Sequence, residues 1–175
     1  MNFTIRSGGK EDFTQVFALM EKAFPKTEHR SQEGQHKLFQ NPAYSYRILQ
    51  DEAGKFLGFL AVWNFHAFRF AEHFAVNENA RGHGIGGQAL QMWMKEEDTP
   101  VVLEVELPET EIARRRIGFY QRLGFVLNEF PYRQPSMQEG QPSIPLKIMS
   151  WPKALSQEVF APWQQQIYHE VYGQK

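Results

Sequence analysis

The sequence has no cysteine in its 175 residues. That excludes a disulfide framework, a thiolate zinc cluster and a cysteine nucleophile. It has almost no excess charge of either sign: 19 Lys and Arg stand against 20 Asp and Glu, a formal net charge of −1. Such a balance provides no general attraction to nucleic acid or to an anionic membrane. No apolar run approaches the ~20 residues of a membrane-spanning helix. The first residues, Met1 to Lys10, lack the apolar core of a signal peptide. These absences predict a soluble cytoplasmic protein with neither nucleic acid nor membrane as partner. At roughly 100–200 residues per domain, residues 1–175 are expected to form one domain. It would bury on the order of 70% of its unfolded surface and need no structural metal.

What the sequence does have is aromatic and patterned. Phe3 to Ile5 reads as a short strand. Phe13, Val16, Phe17, Met20 and Phe24 lie on one helix face, ended by Pro25. Lys26 to Gln40 has weaker helical spacing and is expected to be a second helix. Tyr44 to Leu49 and Phe56 to Trp63 flank a turn containing Asp51 and Gly54, so they predict a hairpin. Phe68 to Val76 extends it to an antiparallel meander. Further on come a helix from Ile85, a strand from Val101 to Leu107, and a helix carrying Ile112, Phe119 and Leu123 with Gly124 as its stop. A further strand is expected after it. Five of the ten prolines fall in residues 131–152, so that stretch reads as irregular, with Leu146 to Met149 a short edge strand. Val159 to Val171 predicts a C-terminal helix, with Pro162 in its first turn. One α/β domain accounts for this order.

The sharpest feature is Arg81-Gly82-His83-Gly84-Ile85-Gly86-Gly87, which follows a strand and opens a helix. Glycines admit positive φ and close backbone approach. The first N–H groups of a helix have no intrahelical acceptor, so the turn is suited to a phosphate. It is not a Walker loop, since no Gly-Lys-Ser/Thr follows. Gly82, Gly84 and Gly87, with Glu104 about twenty residues on, also fit the dinucleotide pattern of an oxidoreductase. Against that, Asn77 to Arg81 intervene between strand and turn, and the preceding strands read as hairpins.

Phe74-Ala75-Val76 followed by Arg81, Gly84 and Gly86 resembles the acyl-CoA signature of the GCN5-related N-acetyltransferase (GNAT) superfamily. Phe119-Tyr120-Gln121-Arg122-Leu123-Gly124-Phe125 resembles that family's second signature. The two stand in the family's order and cover about residues 70–126. The resemblance implies a GNAT-like α/β fold, with a mixed, mostly antiparallel central sheet flanked by helices. It implies acetyl-CoA as cosubstrate and a small-molecule or peptide amine as acceptor. The cofactor pyrophosphate would rest on Gly82, His83, Gly84, Ile85, Gly86 and Gly87, with Arg81 adding charge or fixing the loop. The pantetheine arm would run beside Phe74, Ala75 and Val76. An acyl-CoA-binding module without turnover is the alternative within the same resemblance. A homodimer is compatible with it.

Acetylation needs a neutral amine, and an alkylammonium has a pKa of about 10, so a base must take a proton. Glu72 is the candidate: strand alternation would place it with Phe70, Phe74 and Val76 on one apolar face, desolvating its carboxylate. Its alternative is a solvent-facing position, or a pair with His73 or an arginine. Tyr120 is the candidate acid toward the leaving thiolate, a role the second signature implies. Ala113 stands where the family often has a cofactor-contacting Asn, so that contact is not carried over. Arg114, Arg115 and Arg116 read as a solvated helix face, with contact to the CoA phosphates as the alternative. The six histidines, His29, His36, His66, His73, His83 and His169, have no metal-ligand spacing, and no metal is expected. Tyr132 to Pro135 would border the acceptor pocket or form an ordinary loop.

Overall fold

The computed structural model describes residues 1–174. Its strands are β1 (Thr4–Gly8), β2 (Tyr44–Gln50), β3 (Phe56–Asn64), β4 (Arg69–Val76), β5 (Val101–Glu106), β6 (Val126–Leu127), β7 (Tyr132–Gln134) and β8 (Ile144–Trp151). They form one sheet in the order β1-β2-β3-β4-β5-β8-β6, with β7 also on β8. Among the described residues only β4 and β5 pair in parallel; every other pairing is antiparallel. The predicted hairpin turn forms because Asp51 gathers it. Its carboxylate accepts from Ala53 N at 2.9 Å and Lys55 N at 2.8 Å.

Helices cover both faces. The aromatic face packs on α1 (Phe13–Ala23) and, through Phe160 and Ile167, on α5 (Gln157–Gln166) and the π-helical turn Ile167–Val171 behind it. The opposite face packs on α3 (Ile85–Met94) and α4 (Glu111–Arg122) through Leu90, Trp93 and Ile117. No helix among the described residues is long and apolar enough to cross a membrane.

Four expectations are corrected. Lys26 to Gln40 is not one helix: 3-10 turns at Lys26–Glu28 and Leu38–Gln40 bracket a short α2 (Gln32–Lys37). His29 is extended, and Arg30 beside it turns into the interior. Helix α2 restarts only where Ser31 accepts from Gly34 N at 3.1 Å. The Leu146 to Met149 segment is not an edge. Strand β8 runs eight residues between β5 and the β6 and β7 strands. Pro145 lies one residue beyond its last rung with β5, Glu106 to Leu146, where a missing N–H costs no bond to that strand. Pro162 is not in the first turn but inside α5, which begins five residues earlier under the Ser156 cap. The fourth correction concerns β4 and belongs with the site.

Candidate active site

Strand β4 carries a bulge. Its rungs with β3 pass from Val62–Ala71 directly to Ala61–His73, so Glu72 is the extra residue. The bulge inverts the alternation. Phe70 packs with the aromatic face and Phe74 with the opposite one. Phe70, Glu72, Phe74 and Val76 therefore do not share a face. Nor do Glu72 and His73 point apart: the carboxylate and imidazole approach to 3.9 Å.

The same irregularity opens the sheet. Strands β4 and β5 pair over only three rungs, ending at Ala71 with Leu103. Beyond that they part around a cleft of about 610 Å³, lined by Glu72, Phe74, Ala75 and Val76 on one side and Glu104, Val105 and Glu106 on the other. Tyr120 and Phe119 from α4 also line it.

Of the glycine turn, Arg81 lines this cleft; Gly82 to Gly87 do not, though Gly86 packs against Phe74 and Val76, which do. Gly82 has φ +85° and Gly84 φ +71°, a left-handed conformation that side chains disfavour. Gly84 is the N-cap of α3 and offers no side-chain cap. Gln88 N is the first amide of this helix to reach an acceptor, Gly84 O at 3.3 Å, so the preceding amides stay open. At Gly86 a Cβ would come within 3.2 Å of Phe74 Cζ, so its bareness lets α3 sit on β4. Arg81 fixes the loop: its Nε donates to Val76 O at 3.2 Å.

Helix α4 presents Tyr120. Thr110 caps it, accepting from Ala113 N at 3.0 Å, and Gly124 ends it at φ +100°. The tyrosine ring stands edge-on to Phe119 and Phe125. Burial pushes its phenol above the ordinary value, opposed by Arg116, so it stays protonated at neutral pH. Arg114 donates to Pro108 O and Arg115 pairs with Glu111 on the same helix. Arg116 lies 3.7 Å from Glu106. Arg115 and Arg116 reach the cleft wall. Ala113 is buried.

Glu72 is not among apolar neighbours. Its side chain is 1% exposed and pairs with Arg30 at 2.7 Å, and Trp63 Nε1 donates to it at 2.8 Å. The charged alternative for Glu72 is the one the structure contains. His73 is also buried; its Nε2 meets Glu28 O at 2.6 Å, and burial holds its pKa below the usual value. His66 is exposed on the connection from β3 to β4.

The sequence reading missed a role for Glu104 beyond the dinucleotide pattern. This carboxylate lines the cleft on β5 and accepts from Tyr132 Oη at 2.5 Å. Tyr172 Oη stands 2.7 and 2.9 Å from its two oxygens. Burial pushes its pKa up to about 7, against the two tyrosine hydrogen bonds that lower it. The available signal was a lone carboxylate inside the apolar run Val101 to Val105. The Tyr132 to Pro135 segment does border the cleft, through Gln134, with Met137 just beyond.

Comparison with known proteins bears on the family and the fold. The model of the acetyltransferase (GNAT) domain family matches residues 42–127. A solved structure from Bacteroides thetaiotaomicron, assigned to the GNAT family of acetyltransferases, superposes with a TM-score of 0.89 at 31% identity, covering 98% of this chain and 99% of that one. The chain belongs to the GNAT family. YjbC of Bacillus subtilis (strain 168), assigned as an acetyltransferase, is 30% identical over 115 residues, which span 63% of this chain and 59% of YjbC. The ribosomal-protein-S18-alanine N-acetyltransferase of Escherichia coli shares the fold, with a TM-score of 0.66 at 20% identity over 90% of this chain and 97% of that one. This GNAT chain is therefore an acyltransferase, and its mixed, mostly antiparallel sheet is the family's. The dinucleotide reading of Gly82, Gly84 and Gly87 gives way, because the parallel sheet it needs is absent and Glu104 serves the cleft instead.

Proposed function

We propose that this GNAT enzyme transfers an acetyl group from acetyl-CoA to a primary amine, of a small molecule or a peptide, by direct transfer in a ternary complex. The observation that carries the reading is the cleft between β4 and β5, with Arg81 and Tyr120 on its wall, beside the open amides that begin α3. Acetyl-CoA supplies the activated acetyl thioester. The turn amides from Gly82 to Gly87 hold its pyrophosphate, since aligned N–H groups at a helix start favour an anion. The freed edge of β4 at Phe74, Ala75 and Val76 offers backbone groups to the pantetheine arm. Tyr120 donates its proton to the departing sulfur. The cysteine-free sequence leaves no acyl-cysteine route and suits a reducing, cytoplasmic compartment.

Two substitutions test separate parts of this reading. Tyr120→Phe is expected to lower kcat by about 100-fold, the usual scale of one acid catalyst, while the KM for acetyl-CoA changes little. Steady-state thiol release measures both, and full activity would leave Tyr120 a packing role only. Gly84→Val forces a β-branched residue to φ +71°, at a cost of about 1–2 kcal/mol. It should weaken acetyl-CoA binding at least about tenfold by displacing the turn amides, a change of about 1.4 kcal/mol. Calorimetric titration with acetyl-CoA reads this, and NAD should give no heat in the same cell.

A further inference from the structure

Two carboxylates stand at the parting of β4 and β5, and they are not equivalent. The Glu72 side chain is 1% exposed and locked to Arg30. Glu104 is partly exposed on the cleft wall and, among the described residues, has no cationic partner within ion-pair distance. Its partners are two hydroxyls, Tyr132 Oη from β7 and Tyr172 Oη from the segment after α5. Neutral donors orient a carboxylate without cancelling its charge, which is what a base facing a cationic amine needs. Arg30 also holds the segment carrying Tyr172: its Nη2 donates to Val171 O at 2.7 Å, and its guanidinium lies 5.9 Å from the Tyr172 ring centre. The contacts form a continuous chain from Glu72 through Arg30 and Tyr172 to Glu104.

We propose that Glu104 is the base that takes the proton of the acceptor ammonium, and that Glu72 and Arg30 are positioning residues acting on it through Tyr172. This rests on the acetyl-transfer reading above. One proton passes from the ammonium nitrogen to the Glu104 carboxylate. The freed nitrogen lone pair forms the C–N bond as the C–S bond breaks. The sulfur takes its proton from Tyr120, and the phenolate regains one from the acylated nitrogen. The products are an amide, a free thiol and one proton that Glu104 returns to solvent.

The titratable and charged groups around Glu104 are Tyr132, Tyr172, Tyr168, Glu72 and Arg30, with Glu106 two residues along its strand. Glu72 raises its pKa, while Arg30 and the tyrosine hydrogen bonds lower it, and burial dominates to give about 7. The base is active when deprotonated, so kcat/KM for the amine should rise with pH through about 7. Stability runs the other way. A carboxyl with a raised folded pKa contributes its stabilisation fully below the ordinary carboxylate value of 4.5, and loses it as pH rises to about 7.

The test is the pH profile of wild type, Glu104→Gln, Glu72→Gln and Tyr172→Phe, with Tm measured across the same pH range. Glu104→Gln should lose at least about 100-fold in kcat, lose the acid limb, keep acetyl-CoA affinity, and flatten the fall of Tm between pH 4.5 and about 7. Tyr172→Phe removes a donor to the charged form, so its limb should move to higher pH. That result keeps the test open if Glu104→Gln fails to fold. Glu72→Gln should lower Tm, and its limb should persist at lower pH. A Glu104→Gln variant with wild-type rate and limb overturns the proposal, as does loss of the limb in Glu72→Gln alone. A wild-type chain that binds acetyl-CoA yet acetylates no amine overturns the acetyl-transfer reading itself.

Discussion

Replacing Arg69 by methionine is expected to lower the melting temperature by roughly 10 °C. Arg69 opens β4 and is buried to 2% exposure. Its guanidinium donates to Trp93 O at 2.9 Å, Met94 O at 2.8 Å, Glu97 O at 3.1 Å and Thr99 O at 2.7 Å. The first two belong to the last turn of α3, where carbonyls lack intrahelical donors and the helix dipole is negative. The guanidinium also lies 4.9 Å from the Trp93 ring centre. Methionine keeps much of the volume and removes every donor. Each buried carbonyl left unsatisfied costs about 1–3 kcal/mol, and partial access of water to residues 97–99 brings the sum to roughly 3–4 kcal/mol. At about 2–4 °C per kcal/mol for a chain of this size, thermal unfolding followed by circular dichroism resolves the loss. An unchanged Tm would mean that α3 does not depend on this cap.

Arg30→Met should cost about 3–5 kcal/mol, because it leaves the Glu72 carboxylate buried without its countercharge. Trp63 Nε1 would remain its one donor. Glu72→Gln should cost less, since Arg30 keeps its bond to Val171 O. The double variant should be more stable than the two single losses predict. Replacing both members of a buried pair is far less costly than stranding one. Urea denaturation of the four proteins gives the coupling energy, and strict additivity would show that the two side chains act independently. Arg30 is also the link between Glu72 and Tyr172, so its loss should reduce kcat beyond any effect on folding.

The sequence shows most of the fold because its local and long-range signals agree. Phe13 to Phe24 has helical spacing, Asp51 to Lys55 has turn chemistry, and Gly124 sits where α4 must stop; each is found in the structure. The errors arise where tertiary contacts override local pattern. Arg30 interrupts the expected second helix because its charge is drawn inward to Glu72. Strand β8 looks irregular in sequence because Pro145 and Pro142 dominate the window, yet strands on both sides fix its register. A bulge is invisible to a period-2 reading: Glu72 stays on the side of Phe70, against Trp63, while Phe74 and Val76 turn to the α3 side.

The site was legible in unequal parts. The turn from Arg81 to Gly87 and the Tyr120 helix end are local patterns, and Arg81 and Tyr120 both line the cleft. The Glu104 cluster is not local. Tyr132 is 28 residues from Glu104 and Tyr172 is 68. Only the closing of β7 and the last segment onto β5 brings these hydroxyls to the carboxylate. No spacing rule could have found a site assembled that way.

The central claim is amine acetylation from acetyl-CoA, and thiol release over a panel of amines, with mass spectrometry of the products, tests it most directly. Thiol release should require both acetyl-CoA and an amine, with acetylated amine formed in equal amount and no acetylated protein when the amine is withheld. Acetyl-CoA binding without amine-dependent thiol release, across small-molecule and peptide amines alike, would contradict it.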